Sequence, residues 1–237
     1  MKLLENFYFN FPDNTKKFYY IRRLNRFISE VEDANKNRFL VHSPNTGSMK
    51  GLLSEGNECL CYDTENPARK YPLSFIAIKS GSIWCGIDTI KANSIAVDLI
   101  KSGLLPELSS MEEIKREVRT GNSRIDIHGK ISGTEIFIEV KNVTLVENSV
   151  ALFPDAPSTR AVKHLKELIK LRESGHISAM LFLIQRQDAE KFTGAASIHP
   201  EYAKMLQHAF SAGIKIYPVV MKCSERGLKF FKIIDYF

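Results

Sequence analysis

The feature that most constrains this chain is a change of hydrophobic rhythm near Trp84–Asp88. Before it, Phe18–Ile21, Arg26–Val31, Arg38–His42, Glu58–Tyr62 and Phe75–Lys79 are short and rich in aromatic and β-branched residues. Asn, Gly and Pro separate them, as expected of strands and turns. This run of short strands predicts a small β-barrel, for which the OB-fold is the natural candidate. After the change, apolar residues recur at helical spacing over Ile90–Ser102, Thr159–Ser174 and Pro200–Ala212, which stop at Gly103, Gly175 and Gly213. Strands are predicted at Ile114–Arg119, Ser123–His128, Glu135–Asn142, Ser178–Ile184, Ile214–Met221 and Leu228–Ile234. That order is α/β. The expected organisation is therefore a barrel over residues 1–85 and an α/β domain over 86–237.

Length and composition allow one large packed domain or two small ones. Hydrophobic residues make up 44% of the 237 and charged residues 25%, enough apolar side chains for real cores and too many for a disordered chain. The longest apolar runs, such as Ala179–Ile184, fall far short of the roughly 18 residues that span a bilayer. Glu5, Asn6, Asn10, Asp13 and Asn14 interrupt the N-terminus, which lacks a signal peptide's apolar stretch. A cytoplasmic protein without a membrane partner is expected. Cys59-x-Cys61 lacks zinc-ligand spacing, so buried, reduced thiols are the simplest account. The Pro44–Ser48 loop does not fit a P-loop.

The net charge of +6 and the pI near 9.0 favour polyanionic partners without naming one. Residues 1–29 hold Lys2, Lys16, Lys17, Arg22, Arg23 and Arg26 against Glu5 and Asp13, with Phe18, Tyr19, Tyr20 and Phe27 among them. Two readings are open. The segment is either a groove that neutralises phosphates and stacks bases, or a strand with one aromatic core face and one solvated basic face.

The chemistry concentrates in Ser123–His128 and Glu135–Asn142, joined by a glycine-containing hairpin connection. Alternation predicts one apolar face (Ile125, Ile127, Ile136, Ile138, Val140) and one bearing Arg124, Asp126, His128, Phe137, Glu139 and Lys141. With the turn near Ile131–Ser132, Asp126 falls across from Phe137 or Ile138, its carboxylate beside Glu139. Two converging carboxylates repel unless a cation lies between them, and hard oxygen ligands suit Mg²⁺ or Mn²⁺. A lysine beside that metal can orient or deprotonate an attacking water. Asp126, Glu139 and Lys141 are thus the candidate catalytic set, with Asp126 and Glu139 as metal ligands and Glu117 as a third carboxylate. The other reading is a solvated face with an ordinary ion pair. On the following helix Arg160, Lys163, His164 and Glu167 form one stripe, either a hold on the phosphate backbone or a charged outer face.

A second candidate is the His42–Met49 loop. Asn45, Thr46, Gly47 and Ser48 offer backbone N–H groups and hydroxyls to a phosphate, or else bond their own backbone in a turn.

At this point a resemblance enters. His42-x-Pro44-Asn45-Thr46-Gly47-Ser48-Met49, Gly121-Asn122-Ser123-Arg124-Ile125-Asp126, Glu139-Val140-Lys141-Asn142-Val143-Thr144-Leu145 and Ala151-Leu152-Phe153-Pro154-Asp155-Ala156 resemble the sugar fermentation stimulation protein family, SfsA. The likeness runs in order from about Tyr20 to the C-terminus. It implies an N-terminal OB-like barrel followed by a PD-(D/E)xK nuclease-like domain. Asp126 takes the first acidic position of that pattern, and Glu139 and Lys141 its E-x-K. It further implies DNA binding without sequence preference and a regulatory role in sugar (maltose) metabolism. The helix opening Pro157-Ser158-Thr159-Arg160-Ala161-Val162 departs from the resemblance, which calls for an acidic residue and a Gly-Gln pair there. Three functions stand open: a DNA-binding protein with nuclease architecture, an active Mg²⁺-dependent nuclease on DNA or RNA, and an interaction protein. Arg22, Arg23, Arg26, Asn45, Thr46, Gly47, Ser48, Arg124, Arg160, Lys163 and His164 are the candidate nucleic-acid contacts. Oligomeric state is left open, a homodimer included.

Overall fold

The computed structural model describes residues 8–120 and 123–237. Lys2, Glu5 and Asn6, and Gly121-Asn122 of the second quoted string, lie outside them. The elements are β1 (Tyr8–Asn10), β2 (Thr15–Asn25), β3 (Ile28–Glu32), β4 (Arg38–His42), β5 (Glu58–Asp63), β6 (Leu73–Ser80), β7 (Ile83–Gly86), α1 (Ala92–Lys101), β8 (Glu112–Thr120), β9 (Ser123–Ile131) and β10 (Thr134–Val143). Then come β11 (Leu145–Glu147), β12 (Val150–Phe153), α2 (Thr159–Glu173), β13 (Ile177–Ile184), β14 (Lys191–Gly194), α3 (Pro200–Ser211), β15 (Lys215–Ser224), β16 (Gly227–Ile233) and β17 (Asp235–Tyr236).

β2 to β6 form the barrel, in the order β4-β3-β2-β5-β6, and a parallel β4–β6 contact at His42 and Ser74 closes it. β7 continues from β6 as a hairpin that the sequence reading missed. Alternation along β2 turns Phe18 and Tyr20 inward, where they pack with Val31, Val41, Cys59, Cys61, Phe75 and Ile78. This answers the aromatic question for those two residues: they are core. All four cysteines are buried free thiols.

The second unit is a seven-stranded sheet, β1-β16-β15-β13-β10-β9-β8. Its centre, β10, β13 and β15, is parallel, and β13 reads as a continuous apolar run because helices or the barrel cover both faces. α2 and α3 lie on one face. α1 lies on the other, in one core with Leu60, Ile76 and Ala77 from the outer wall of the barrel. A small sheet, β11-β12-β14-β17, flanks the α2–α3 side; its short strands carry little pattern of their own.

The N-terminal residues cross between the two units. β1 pairs with β16 at the edge of the large sheet, and Phe11 is buried in the core shared with α1. The chain enters the barrel only from Thr15 onward. Gly227 makes the crossing possible: with φ at +150°, a Cβ there would lie 2.1 Å from the Phe9 carbonyl oxygen. Gly227→Val should therefore unpair β1. Hydrogen exchange at Phe9–Phe11 is expected to accelerate while β10 and β13 stay protected. The melting temperature should fall by several degrees, the equivalent of about 1–3 kcal/mol of overpacking.

Candidate active-site cleft

The β9–β10 hairpin sets the site. Its turn is Ser132-Gly133, both with positive φ (49° and 81°), the geometry of a two-residue turn matched to strand twist. Thr134 thus pairs with Ile131 and Ile138 with Ile127, one residue from the predicted turn centre. The next pair would be Asp126 and Glu139, but the ladder stops there. Instead the Asp126 carboxylate enters the gap: Oδ2 accepts the Val140 N–H at 2.8 Å, and Oδ1 accepts from Asn93 Nδ2 of α1 at 3.0 Å. The parting of the strands resets the alternation. Ile127 stays with Ile136, Ile138 and Val140, whereas Ile125 joins the opposite core with Phe137. The single apolar face expected for both isoleucines is corrected accordingly.

Glu139 is only 1% exposed. Its Oε1 accepts from Lys141 Nζ at 2.5 Å and from His164 Nδ1, while Oε2 is buried with no partner. Burial pushes the Glu139 carboxyl up, but the bond to His164 and the charge of Lys141 more than reverse this and hold it below its ordinary 4.5. Asp126 moves the other way. Burial and then the charge of Glu139 raise it above 3.8, against Lys141 and its two N–H donors. Arg160 Nε donates to His164 Nε2 at 3.3 Å, which leaves Nδ1 as the nitrogen bearing the proton toward Glu139. The Tyr202 phenol, wholly buried and unpartnered, is driven well above 10 by burial and then by the Glu139 charge.

Asp126, Glu139, Lys141 and Arg160 line a cleft of about 370 Å³ between the two units, with His164 and Tyr202 behind its wall rather than on it. Glu139, Lys141 and Asn142 lie on the β10 side. Thr89 and Asn93 come from the approach and first turn of α1, Asp155, Ser158 and Arg160 from the approach to α2, and Asn45, Thr46 and Gly47 from the barrel. The barrel loop is braced there. Ser48 Oγ donates to the Asp155 carbonyl at 2.6 Å, and the Met49 N–H donates to Asp155 Oδ2 at 2.8 Å. A Cβ on Gly47 would lie 2.7 Å from both Asp155 carboxylate oxygens. A larger cavity, about 560 Å³, between β14, α3 and the C-terminus has Lys204 as its sole ionisable lining group apart from Tyr236. It offers no comparable convergence of charge.

Residues 21–87 match the SfsA N-terminal OB domain, and residues 90–227 match the Sugar fermentation stimulation protein RE domain. The chain belongs to the SfsA family. It is 38% identical to the Sugar fermentation stimulation protein homolog of Syntrophobacter fumaroxidans over 94% of this chain and 85% of that one. It is 41% identical to the homolog of Citrifermentans bemidjiense over 83% and 85%. Among solved structures it is similar to that of Pyrococcus furiosus SfsA in complex with Ca²⁺, with a TM-score of 0.88, 27% identity and coverage of 98% and 99%. The architecture is thus an OB barrel followed by a nuclease-like α/β domain.

Within this SfsA framework the sequence-predicted residues separate. Asp126, Glu139, Lys141, Arg160, Asn45, Thr46 and Gly47 converge on the cleft. Glu117 does not supply a third carboxylate: it is exposed, pairs with Arg124 at 3.3 Å, and neither residue lines the cleft. Its strand, β8, is the sheet edge, where side chains reach solvent rather than β10. His164 is a buried partner of Glu139 rather than a phosphate contact, and Lys163 stays on the exposed face of α2. Arg22 is paired with Glu30 at 2.7 Å. Arg23 is committed to backbone carbonyls, those of Gly47 at 2.6 Å and Asn45 at 2.8 Å among them. The loop does not offer all its N–H groups to a phosphate either, because the Gly47 N–H donates to Asn45 Oδ1. Asn93 and Asp155 were missed. Asp155 stood in a quoted string without a role, and nothing in the sequence singles out Asn93.

The raised Asp126 carboxyl carries a stability consequence. A carboxyl held above its unfolded value imposes no penalty while the pH is below that value, and the penalty grows as pH rises through the folded value. Asp126→Asn, with the Asn93 amide turned to accept, should therefore melt at or above the wild-type temperature at pH 7. The difference should shrink as pH approaches 3.8. Thermal melts of both proteins across pH check this.

Proposed function

We propose that this SfsA-family protein binds DNA largely without regard to sequence, and that its cleft takes one Mg²⁺ or Mn²⁺ ion between Asp126 and Glu139. The observation that carries the reading is Glu139 Oε2, buried and unpartnered in the cleft that the half-buried Asp126 carboxylate also lines. A desolvated anionic oxygen without a donor is costly. A hard cation that accepts one or two carboxylates and leaves its other positions to water and phosphate oxygens meets that need. No ready-made cluster of at least three acidic, histidine or cysteine ligands occurs among the described residues, so Asp126 and Glu139 are the two carboxylates offered to the ion. The similar Pyrococcus furiosus structure is described with Ca²⁺, also an oxygen-seeking cation.

When bound, the ion would supply charge neutralisation at a phosphate and acidity to a bound water. The chain's own groups do the rest. Lys141 holds Glu139 in place and presents an ammonium that can orient an attacking water. His164 fixes the same carboxylate oxygen and is held in turn by Arg160. Arg160 and the exposed Thr46 stand on the cleft walls, where a phosphate backbone would pass. Asp126, Glu139 and Lys141, together on one cleft, favour the second reading, hydrolysis of DNA or RNA phosphodiesters at this site. DNA binding is also the chemistry through which a cytoplasmic regulator of sugar metabolism, as the family name suggests, would act.

Calorimetry should show Mn²⁺ uptake by the wild type that is lost in Asp126→Asn and Glu139→Gln and kept in Lys141→Ala. Lys141→Ala should cleave labelled DNA or RNA at least about a hundredfold more slowly. Absence of Mn²⁺ uptake by the wild type in the presence of DNA, or equal uptake by Asp126→Asn, overturns the metal assignment. DNA affinity should fall by more than about tenfold between about 50 and 200 mM salt and vary little among sequences. Salt-insensitive binding or a strong preference for one site would count against the electrostatic mode.

A further inference from the structure

The barrel's most exposed aromatic ring stands on a turn that is bonded, through Arg23, to the loop walling this cleft. The β2–β3 turn, Asn25-Arg26-Phe27, leaves Phe27 50% and Leu24 45% exposed. The backbone that carries the ring is well fastened: Asn25 Oδ1 accepts both the Phe27 and Ile28 N–H groups, and the Phe27 carbonyl accepts the Ser43 N–H at 2.7 Å. The Arg23 guanidinium then ties the turn to the cleft loop. It donates to the carbonyls of Asn25 and Arg26 on one side and to those of Asn45 and Gly47 on the other. Asn45 and Gly47 line the cleft. Beside the ring, the Arg26 guanidinium lies 5.8 Å from its centroid and has no carboxylate partner among the described ion pairs, unlike Arg22.

We propose that the β2–β3 turn is a stacking platform for an unpaired base, so that the cleft receives single-stranded nucleic acid or the frayed part of a duplex. This rests on the phosphodiester reading of the cleft and adds strand state to it. Three features point to a nucleobase rather than to a protein partner. The ring is half exposed on a hydrogen-bonded backbone, so stacking orders little of the main chain that is not already ordered. Arg26 can stack on the base or meet its phosphate. The fastening through Arg23 ties the turn that carries the ring to the Asn45–Gly47 loop, which would meet the backbone. A duplex base is already stacked on its neighbours and has no face to offer; an unpaired base does.

The test uses the full chain with EDTA present to silence cleavage. The probes are 2-aminopurine-labelled single strands of DNA and of RNA, about 15 nucleotides long, and a blunt DNA duplex. Wild type should quench the 2-aminopurine. Phe27→Ala should lose most of that quenching and bind the single strands about tenfold more weakly, as expected for one lost stacking contact. Its duplex affinity should change by less than about twofold. Phe27→Trp should restore both quenching and affinity, and an unchanged melting temperature in both variants establishes folding. Equal loss on single strand and duplex, or no loss, overturns the platform while leaving nucleic-acid binding intact. A change in sedimentation of Phe27→Ala without a change in single-strand affinity assigns the ring to self-association and also overturns it. Failure of the wild type to bind any probe overturns the underlying reading and the platform together.

Discussion

A carboxylate with almost no contact with water cannot remain ionised alone, and Glu139 is such a group. Two donors, Lys141 and His164, converge on one of its oxygens, and the surrounding structure follows from the need to bring them there. Lys141 arrives by strand period, two residues along β10. His164 arrives only because α2 packs across the sheet with Ala161, Leu165 and Leu168 inward, which swings the first turn of the helix over β10. Arg160, one turn earlier, is carried into the cleft by the same packing. The second oxygen remains without a partner, and this asymmetry sets Glu139 apart from a fully satisfied structural ion pair. Arg186, buried just beyond the end of β13, makes the contrast: its guanidinium is satisfied by both oxygens of Asp188 and by the Thr144 carbonyl.

The second dependence is on the junction of the two units. The outer wall of the barrel contributes Leu60, Ile76 and Ala77 to the core that holds α1 against the sheet, and the Gly86 N–H donates to the Gln185 carbonyl at 2.9 Å. Because apolar surface is shared, the barrel is not a freely appended module. Its Asn45–Gly47 loop can therefore form one wall of a cleft that the α/β domain alone would leave open. Asp155 reaches from the other side to brace that loop, and Arg23 clamps the loop to the β2–β3 turn. Direct bonds thus run from Asp155, on the α2 side of the cleft, through the loop and Arg23 to the exposed β2–β3 turn of the barrel.

Much of this was legible without coordinates. The change from period-two to helical patterning near residue 85 separated the units, and the barrel strands β4 to β6 fall within a few residues of expectation. The three helices do too, since an apolar stripe ended by a glycine is a local signal. β1, β7 and the small β11-β12-β14-β17 sheet were not read. Their strands are short, and what makes them strands is a partner distant in the chain: Phe9 against Leu228, Phe192 against Tyr236.

For the site, the sequence by itself determined the chemistry: an acid, an acid and a lysine, whose strand spacing places Glu139 and Lys141 on one face whatever the remaining fold. Tertiary structure decided which other charges belong with them. Glu117, Lys163 and His164 look alike as members of charged stripes. Yet one lies on a sheet edge, one faces solvent, and one is buried against Glu139. Periodicity gives the face on which a side chain stands, but burial and partners depend on what packs over that face. The same holds for Asp126, whose register follows from the Ser132-Gly133 turn. Its role as the wedge that parts β9 from β10 exists only because Val140 and Asn93 present their N–H groups to it from two different elements.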